Sequence, residues 1–188
     1  MTEQLIYNFE HDPSVSDFLV SKSTYLKAHS RIPFQLIATS ALVLHSDAAS
    51  APRILLLQRA SSDSNPNKWE PPGGAVDDDD LSILHAAARE LWEEAGLRTA
   101  RIGGPVGEPH FFARSNGDTV CRFNFLVHVL NAEDAVLKVD LDPKEHQNSV
   151  WATESEVRAG KSGNIELNFV REEVVHTILT AFNYSQNY

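Results

Sequence analysis

The chain predicts an α/β fold, a mixed β-sheet with helices on both faces, and three observations predict it. Apolar runs at 36–44 and 54–58, and an alternating stretch at 123–130, have the period of strands. Residues 83–95 carry apolar side chains at helical spacing between those strands. A second stripe of that spacing, Val170, Val174, Val175, Ile178, Leu179 and Phe182, comes near the C-terminus.

Taken in order, Asp12 and Pro13 have the character of an N-cap and a first-turn proline. They open a short helix through Val15, Phe18, Leu19 and Leu26 that ends near His29. Residues 1–33 therefore read as a helical extension, and 34–188 as the main body of a single globular domain. The runs LIATSALVL and ILLLQ follow as strands, separated by the loop SDAASAP. A polar loop at 61–68 ends at Trp69. From Trp69 to Gly74 a strand end breaks into a tight loop, where paired glycines let backbone approach a ligand closely.

Ser82 reads as the N-cap of the central helix and Gly96 as its stop. Leu84, Ala87, Ala88, Leu91 and Ala95 make its buried stripe. The run Asp77 to Asp80 ahead of it is favourable to the helix dipole, or else a further cation site. Another strand is expected at 99–106. Phe111 and Phe112 then lead to Asn116-Gly117, a hairpin signal. On the return strand Phe123, Phe125, Val127 and Val129 form an apolar face, and Asn124, Leu126, His128 and Leu130 a mixed one. A short strand at 150–152 precedes a capping box, Thr153 with Glu156, for a brief helix.

Length and composition bound the function. The chain has 188 residues, 42% hydrophobic and 22% charged, which suits one soluble domain with a substantial core. A formal net charge of −10 repels a nucleic acid backbone, so no polymeric nucleic acid partner is expected. A small phosphorylated substrate arriving with magnesium escapes that repulsion. Cys121 is the only cysteine, which excludes an intrachain disulfide framework and suits a reducing compartment. No basic stretch with an apolar core opens the chain, and no apolar run approaches the roughly 18 residues of a membrane span. The cytoplasm is the expected compartment, with the nucleus as the other that fits, and no membrane partner is expected.

The chemistry concentrates on the central helix. Glu90, Glu93 and Glu94 fall within one turn, where three carboxylates repel unless a cation or a base lies among them. Magnesium suits the set, because it takes a few carboxylate oxygens and keeps positions for water and phosphate. Arg89, four residues before Glu93, is placed to hold a carboxylate in position.

At these residues the chain resembles the Nudix hydrolase family. Its signature is a glycine, five residues, a glutamate, seven residues, then Arg-Glu-apolar-x-Glu-Glu-x-Gly-apolar. Arg89, Glu90, Leu91, Trp92, Glu93, Glu94, Ala95, Gly96 and Leu97 match the second half in full. In the first half, five residues after Gly74 lead to Asp80 rather than glutamate, and eight rather than seven separate it from Arg89. Counting back from Arg89 puts Leu81 in the glutamate position. Either Asp80 substitutes through a one-residue insertion or that carboxylate is missing.

The resemblance implies a Nudix-like α/β/α sandwich and hydrolysis of a diphosphate linked to another group. It implies magnesium, or manganese in its place, on Glu90, Glu93 and Glu94, with Glu94 foremost and a backbone carbonyl near Gly74 assisting. Arg89, Glu93 and Glu94 would be catalytic. The general base comes in this family from the box or from a later loop. Glu145, in DPKEHQNSVW beside His146, is the candidate outside the box, the other reading being a solvated loop carboxylate. For the substrate, Arg59 is the first choice among Arg53, Arg59, Arg114 and Arg122 to meet phosphates. Trp69, Phe111 and Phe112, with Phe34, are available to stack on a base unless they belong to the core.

A small nucleoside diphosphate-linked compound is the leading substrate class, and an isoprenoid or other organic diphosphate the alternative. A ligand-binding module without turnover is a second class, suggested by the offset at Asp80 and Leu81. If Leu81 occupies the missing position, Leu81→Glu restores the family pattern and raises or preserves activity. Cys121 lacks the motif that surrounds the reactive cysteine of the isopentenyl diphosphate isomerases, which argues against isomerisation.

Overall fold

In the computed structural model, which describes residues 8–29, 34–46, 51–131 and 137–184, the chain opens with β1 (Glu10–His11), a 3-10 helix at Pro13–Phe18 and α1 (Lys22–Ala28). Strands β2 (Leu36–His45), β3 (Arg53–Arg59) and β4 (Trp69–Glu70) lead to α2 (Ile83–Ala95). Next come β5 (Thr99–Pro105), β6 (His110–Ala113), β7 (Thr119–Val129) and β8 (His146–Thr153). The chain closes with α3 (Glu154–Ala159), β9 (Lys161–Ser162), β10 (Ile165–Glu166) and α4 (Glu172–Tyr184). The loop expected after β2 lies partly outside the described residues.

The sheet is mixed. β2 runs parallel to β7 and β1 to β5, while the other pairs are antiparallel. Side-chain alternation divides its apolar residues between two cores. Ile37, Ala41, Val43, Leu55, Leu57, Phe123, Phe125 and Val127 meet α2 on one side. Leu42, Ile54, Leu56, Leu126 and Ala152 meet α4 on the other. Helices therefore cover both faces, as the pattern of elements predicts.

One irregularity positions everything that follows. β2 and β3 pair only where Leu44 meets Ile54 and His45 meets Arg53, and then part. The segment from Pro72 to Val76 fills the gap along β2. There the Ala41, Thr39 and Val76 amides donate to the carbonyls of Pro72, Gly74 and Ile37 at 2.8, 2.9 and 2.9 Å. The glycine loop is thus bonded to the sheet along most of its length, in front of the helix that carries the acidic residues.

The N-terminal segment differs from the one expected helix. It is two helical pieces rather than one, because Ser21 takes an extended backbone and caps α1, its side chain accepting the Thr24 N–H. It is also built into the body of the fold. Val15 and Tyr25 are buried in the α2-side core, and the Phe18 ring packs tilted against Phe123 at 4.9 Å and edge-on to Phe125 at 5.1 Å. The strand expected at 150–152 extends back to His146, drawn out by pairing with β3 as far as Arg59. The short strands β1, β4, β9 and β10 carry too few residues to show a period. Among the described residues no helix is long and apolar enough to cross a membrane.

Candidate active site

The helix α2 forms where the sequence indicates. Ser82 accepts the His85 N–H at its start, and Gly96 ends it in the left-handed region at φ 66°. Its apolar stripe faces the sheet, and Glu90 and Glu94, one turn apart, extend that face toward the glycine loop. Both are buried, at 9% and 5% exposure. The Gly73 amide donates to Glu94 Oε2 at 2.7 Å. No other residue fits there, because Gly73 has φ 150° and a Cβ would lie 2.2 Å from the Thr39 carbonyl oxygen. A Cβ on Gly74 would come within 2.6 Å of the Glu90 carboxylate carbon. Gly74 thus leaves room for Glu90, and Gly73 brings its amide to Glu94.

Burial holds both acids above the ordinary carboxylate range. Glu90 is pushed up to about 7 by burial, against the pull of Arg89. Glu94 is raised well above its usual value by burial, with Glu90 beside it acting in the same direction. Two adjoining buried carboxylates either take up protons or receive a cation. The surroundings fit a metal ion. Glu145 and His146, at the start of β8, bring one donor atom each to within 4.8 Å of Glu94 and of each other. His146 Nδ1 is buried without a hydrogen-bond partner, and burial holds the imidazole below its ordinary pKa, in its neutral form.

Glu93 lies apart from Glu90 and Glu94. A residue one position from Glu94 is turned 100° around the helix, and its half-exposed side chain meets Arg89 Nη1 at 2.9 Å, outside the cavity lining. Arg89 is the centre of the flanking network. It takes Asp80 bidentately at 2.9 and 3.0 Å, Glu90 at 2.9 Å and the Ala75 carbonyl at 3.0 Å. The Asp80 hydrogen bonds lead the causes that hold its guanidinium above the ordinary pKa. Of the two positions the offset leaves open, one meets the arginine. Asp80 reaches Arg89, whereas Leu81 is 74% exposed. Two more of the aspartate run also meet cations: Asp77 approaches Arg89 at 3.6 Å and Asp78 meets Lys22 at 2.9 Å.

A cavity of about 800 Å³ opens over these acids. Its lining includes Gly74, Glu90, Glu94, Glu145, Arg59 and Phe112 from the sequence reading. Lys22, Glu70, Arg122 and Arg171 also line it, and of these only Arg122 stood among the candidates. Glu70 is a buried carboxylate that ties Arg59, with which it pairs closely, to Arg122 at 3.4 Å. Arg59 also grips Asp63 bidentately at 2.6 and 2.8 Å, which pushes the Asp63 carboxyl down to about 2. The first-choice phosphate ligand is therefore already neutralised by two carboxylates. Arg122 and Arg171 lie 5.4 and 4.3 Å from the Phe112 ring centre.

Two aromatic expectations are overturned. Trp69 is completely buried in the α4-side core, and Phe111, 55% exposed, turns away from the cavity and packs 5.9 Å from Phe34. Phe111 and Phe112 are neighbours on β6, so only one of them can face the acids. For Gly74, the carbonyl accepts the Thr39 amide within the sheet, and its visible role is to leave room for Glu90.

Comparison with known proteins follows the same outline. The NUDIX domain family model matches residues 36–172. A 51-residue stretch is 47% identical to the m7GpppN-mRNA hydrolase NUDT17 of Bos taurus, covering 26% of this chain and 17% of that protein. The chain is therefore matched to well under two thirds of that relative's length. A C. elegans Ap4A hydrolase, solved as a binary complex, superposes with TM-score 0.61 at 21% identity, over 82% of this chain and 100% of that one. The NUDIX domain of Shewanella oneidensis NrtR, complexed with ADP ribose, superposes with TM-score 0.58 at 17% identity, over 88% and 99%. At such identities the likeness is one of fold.

Two outcomes are expected. Asp80→Asn removes the charge paired with Arg89 and should lower unfolding free energy by about 3 kcal/mol. Leu81→Glu, on an exposed side chain, should stay within about 0.5 kcal/mol of the parent. Urea titration reads both, and the reverse ranking would return the signature carboxylate to position 81. The second concerns pH. Raised carboxylate pKa values stabilise the metal-free fold fully below the unfolded value and lose that contribution as pH rises through the folded one. His146, which is buried, and His85, His110 and His128, which are partly buried, have pKa values that desolvation lowers and act with the opposite sign, so the mutant difference is the readout. The stability of Glu90→Gln relative to the parent should grow by about 3 kcal/mol between about pH 5 and pH 8 in chelator. A difference independent of pH would show that Glu90 titrates normally.

Proposed function

Because the chain belongs to the Nudix family, we propose that it hydrolyses a phosphoanhydride bond in a small nucleoside diphosphate-linked compound, with magnesium or manganese as the ion. One observation carries this reading. The cavity has a floor of buried acids that calls for a cation, and walls of Lys22, Arg59, Arg114, Arg122 and Arg171 that attract an anion. A metal–diphosphate satisfies both, and the volume suits a nucleotide-sized ligand.

Glu90, Glu94 and Glu145 are the residues that would hold the ion, with Glu93 acting through Arg89. Bound there, a divalent ion screens the charge of the diphosphate and lowers the pKa of a coordinated water. The remaining work falls to the chain. Arg122 and Arg171 meet phosphate oxygens, and Arg59 does so by sharing its guanidinium with Glu70 and Asp63. Phe112 offers an aromatic wall to a base. The proton of the attacking water passes to an oxygen of Glu90 or Glu145 that does not hold the ion. The relatives named for Ap4A, ADP ribose and m7GpppN-mRNA support a nucleotide-linked substrate over an isoprenoid one. The Asp80–Arg89 pair supports turnover over mere ligand binding, since the offset leaves the flank of the acids intact.

Hydrolysis of a panel containing Ap4A, ADP ribose and an isoprenoid diphosphate tests the reading. Turnover of a nucleotide compound should require magnesium or manganese and stop in excess chelator. Glu94→Gln should fold and lose about two orders of magnitude, the equivalent of about 3 kcal/mol of transition-state stabilisation. Parental turnover by the folded variant, or undiminished turnover in chelator, would contradict the assignment.

A further inference from the structure

We propose that an ion bound at Glu94 and Glu145 also takes a nitrogen ligand, Nδ1 of His146. The inference rests on the metal-site reading above and adds a donor that an all-carboxylate site lacks.

Three features carry it. One atom each from Glu94, Glu145 and His146 lies within 4.8 Å of the others, and His146 Nδ1 stands 3.9 Å from Glu94 Oε1. Ligands of a six-coordinate ion with bonds of about 2.1 Å lie about 3 Å apart when adjacent and about 4.2 Å apart when opposite. The observed separations are of that order, and Glu145, the exposed member of the set, has the freedom to approach the other two. Second, Nδ1 has no partner although the side chain is only 3% exposed. A buried polar nitrogen left in that state costs about 1–3 kcal/mol, which an ion in front of it removes.

Third, the backbone is arranged to aim two consecutive residues at one point. Neighbours on a regular strand face opposite sides. Here the register slips between Gln58 and Arg59, so that Gln58 faces Asn148 and Arg59 faces His146, leaving Gln147 as the extra residue. The turn before it is closed by the His146 amide on the Asp142 carbonyl at 2.9 Å, and the Glu145 carbonyl is fixed by the Ala60 amide at 2.8 Å. The bulge and the turn together bring Glu145 and His146 to the same carboxylate of α2.

An imidazole in the set shifts selectivity. Magnesium favours oxygen, whereas nickel and zinc are well served by imidazole nitrogen. The site should therefore hold nickel relatively more tightly than an oxygen-only version of itself.

Manganese bound to the full chain supplies the test, read by pulsed electron paramagnetic resonance. Coupling to a directly bound ¹⁴N is expected in the parent and absent from His146→Gln, with manganese still bound. Competition titration should show nickel affinity falling about tenfold in His146→Gln, while magnesium affinity changes less than about threefold. Manganese bound to the parent without ¹⁴N coupling overturns this inference and leaves the carboxylate site standing. Coupling that survives in His146→Gln overturns the assignment to His146. Failure of the parent to bind manganese at all overturns the carboxylate site, and this inference with it. Because the parent spectrum is decisive alone, a poorly folding variant does not rescue the proposal.

Discussion

Two carboxylates buried one helical turn apart are the constraint on which the site depends. Glu90 and Glu94 sit where an ordinary amphipathic helix would place apolar side chains, and a pair of ionised acids there is unfavourable without compensation. The surroundings are arranged around that fact. Gly73 gives Glu94 an amide donor and Gly74 gives Glu90 its space. The partial separation of β2 from β3 makes room for the loop that carries both glycines. Change the position of the loop and the acids lose both their donor and their cavity.

Charge is compensated on two flanks rather than at the centre. Arg89 gathers Asp80, Glu90 and Glu93 on one side, while Glu70 links Arg59 to Arg122 on the other. Neither network supplies a cation to Glu94, which meets the Gly73 amide at 2.7 Å and the neutral His146 at 3.9 Å. The electrostatic demand for a cation is thus greatest at one residue. The positive charges of Lys22, Arg59, Arg114, Arg122 and Arg171 line the same cavity.

Much of this is legible in the sequence, and the reasons it stops are local. Cap, period and terminal glycine define the central helix to the residue, because each is a short-range property of the chain. The pairing of Asp80 with Arg89 is not decided by spacing alone. Loop conformation settles whether residue 80 or 81 reaches the guanidinium. Nor does helical spacing alone separate Glu93 from Glu94, since both lie near Glu90 and only the placement of the sheet decides which turns inward. Trp69 and Phe111 were misplaced because a strand of two or four residues shows no reliable alternation, so core and cavity faces look alike. Glu70 and His146 carry the weakest signals. Their roles come from a short strand and a bulge, and bulges leave no periodic trace.

The central claim is that the buried acids hold protons until an ion replaces them, and the protons released on metal binding test it most directly. Calorimetric titration of the metal-free chain with manganese, repeated in buffers of different ionisation enthalpy, counts those protons. The account predicts release of at least about one proton per ion near pH 6.5, declining as pH is raised and the acids ionise beforehand. Tight binding at pH 6.5 with no proton release would contradict it, because Glu90 and Glu94 would then already be charged before the ion arrives.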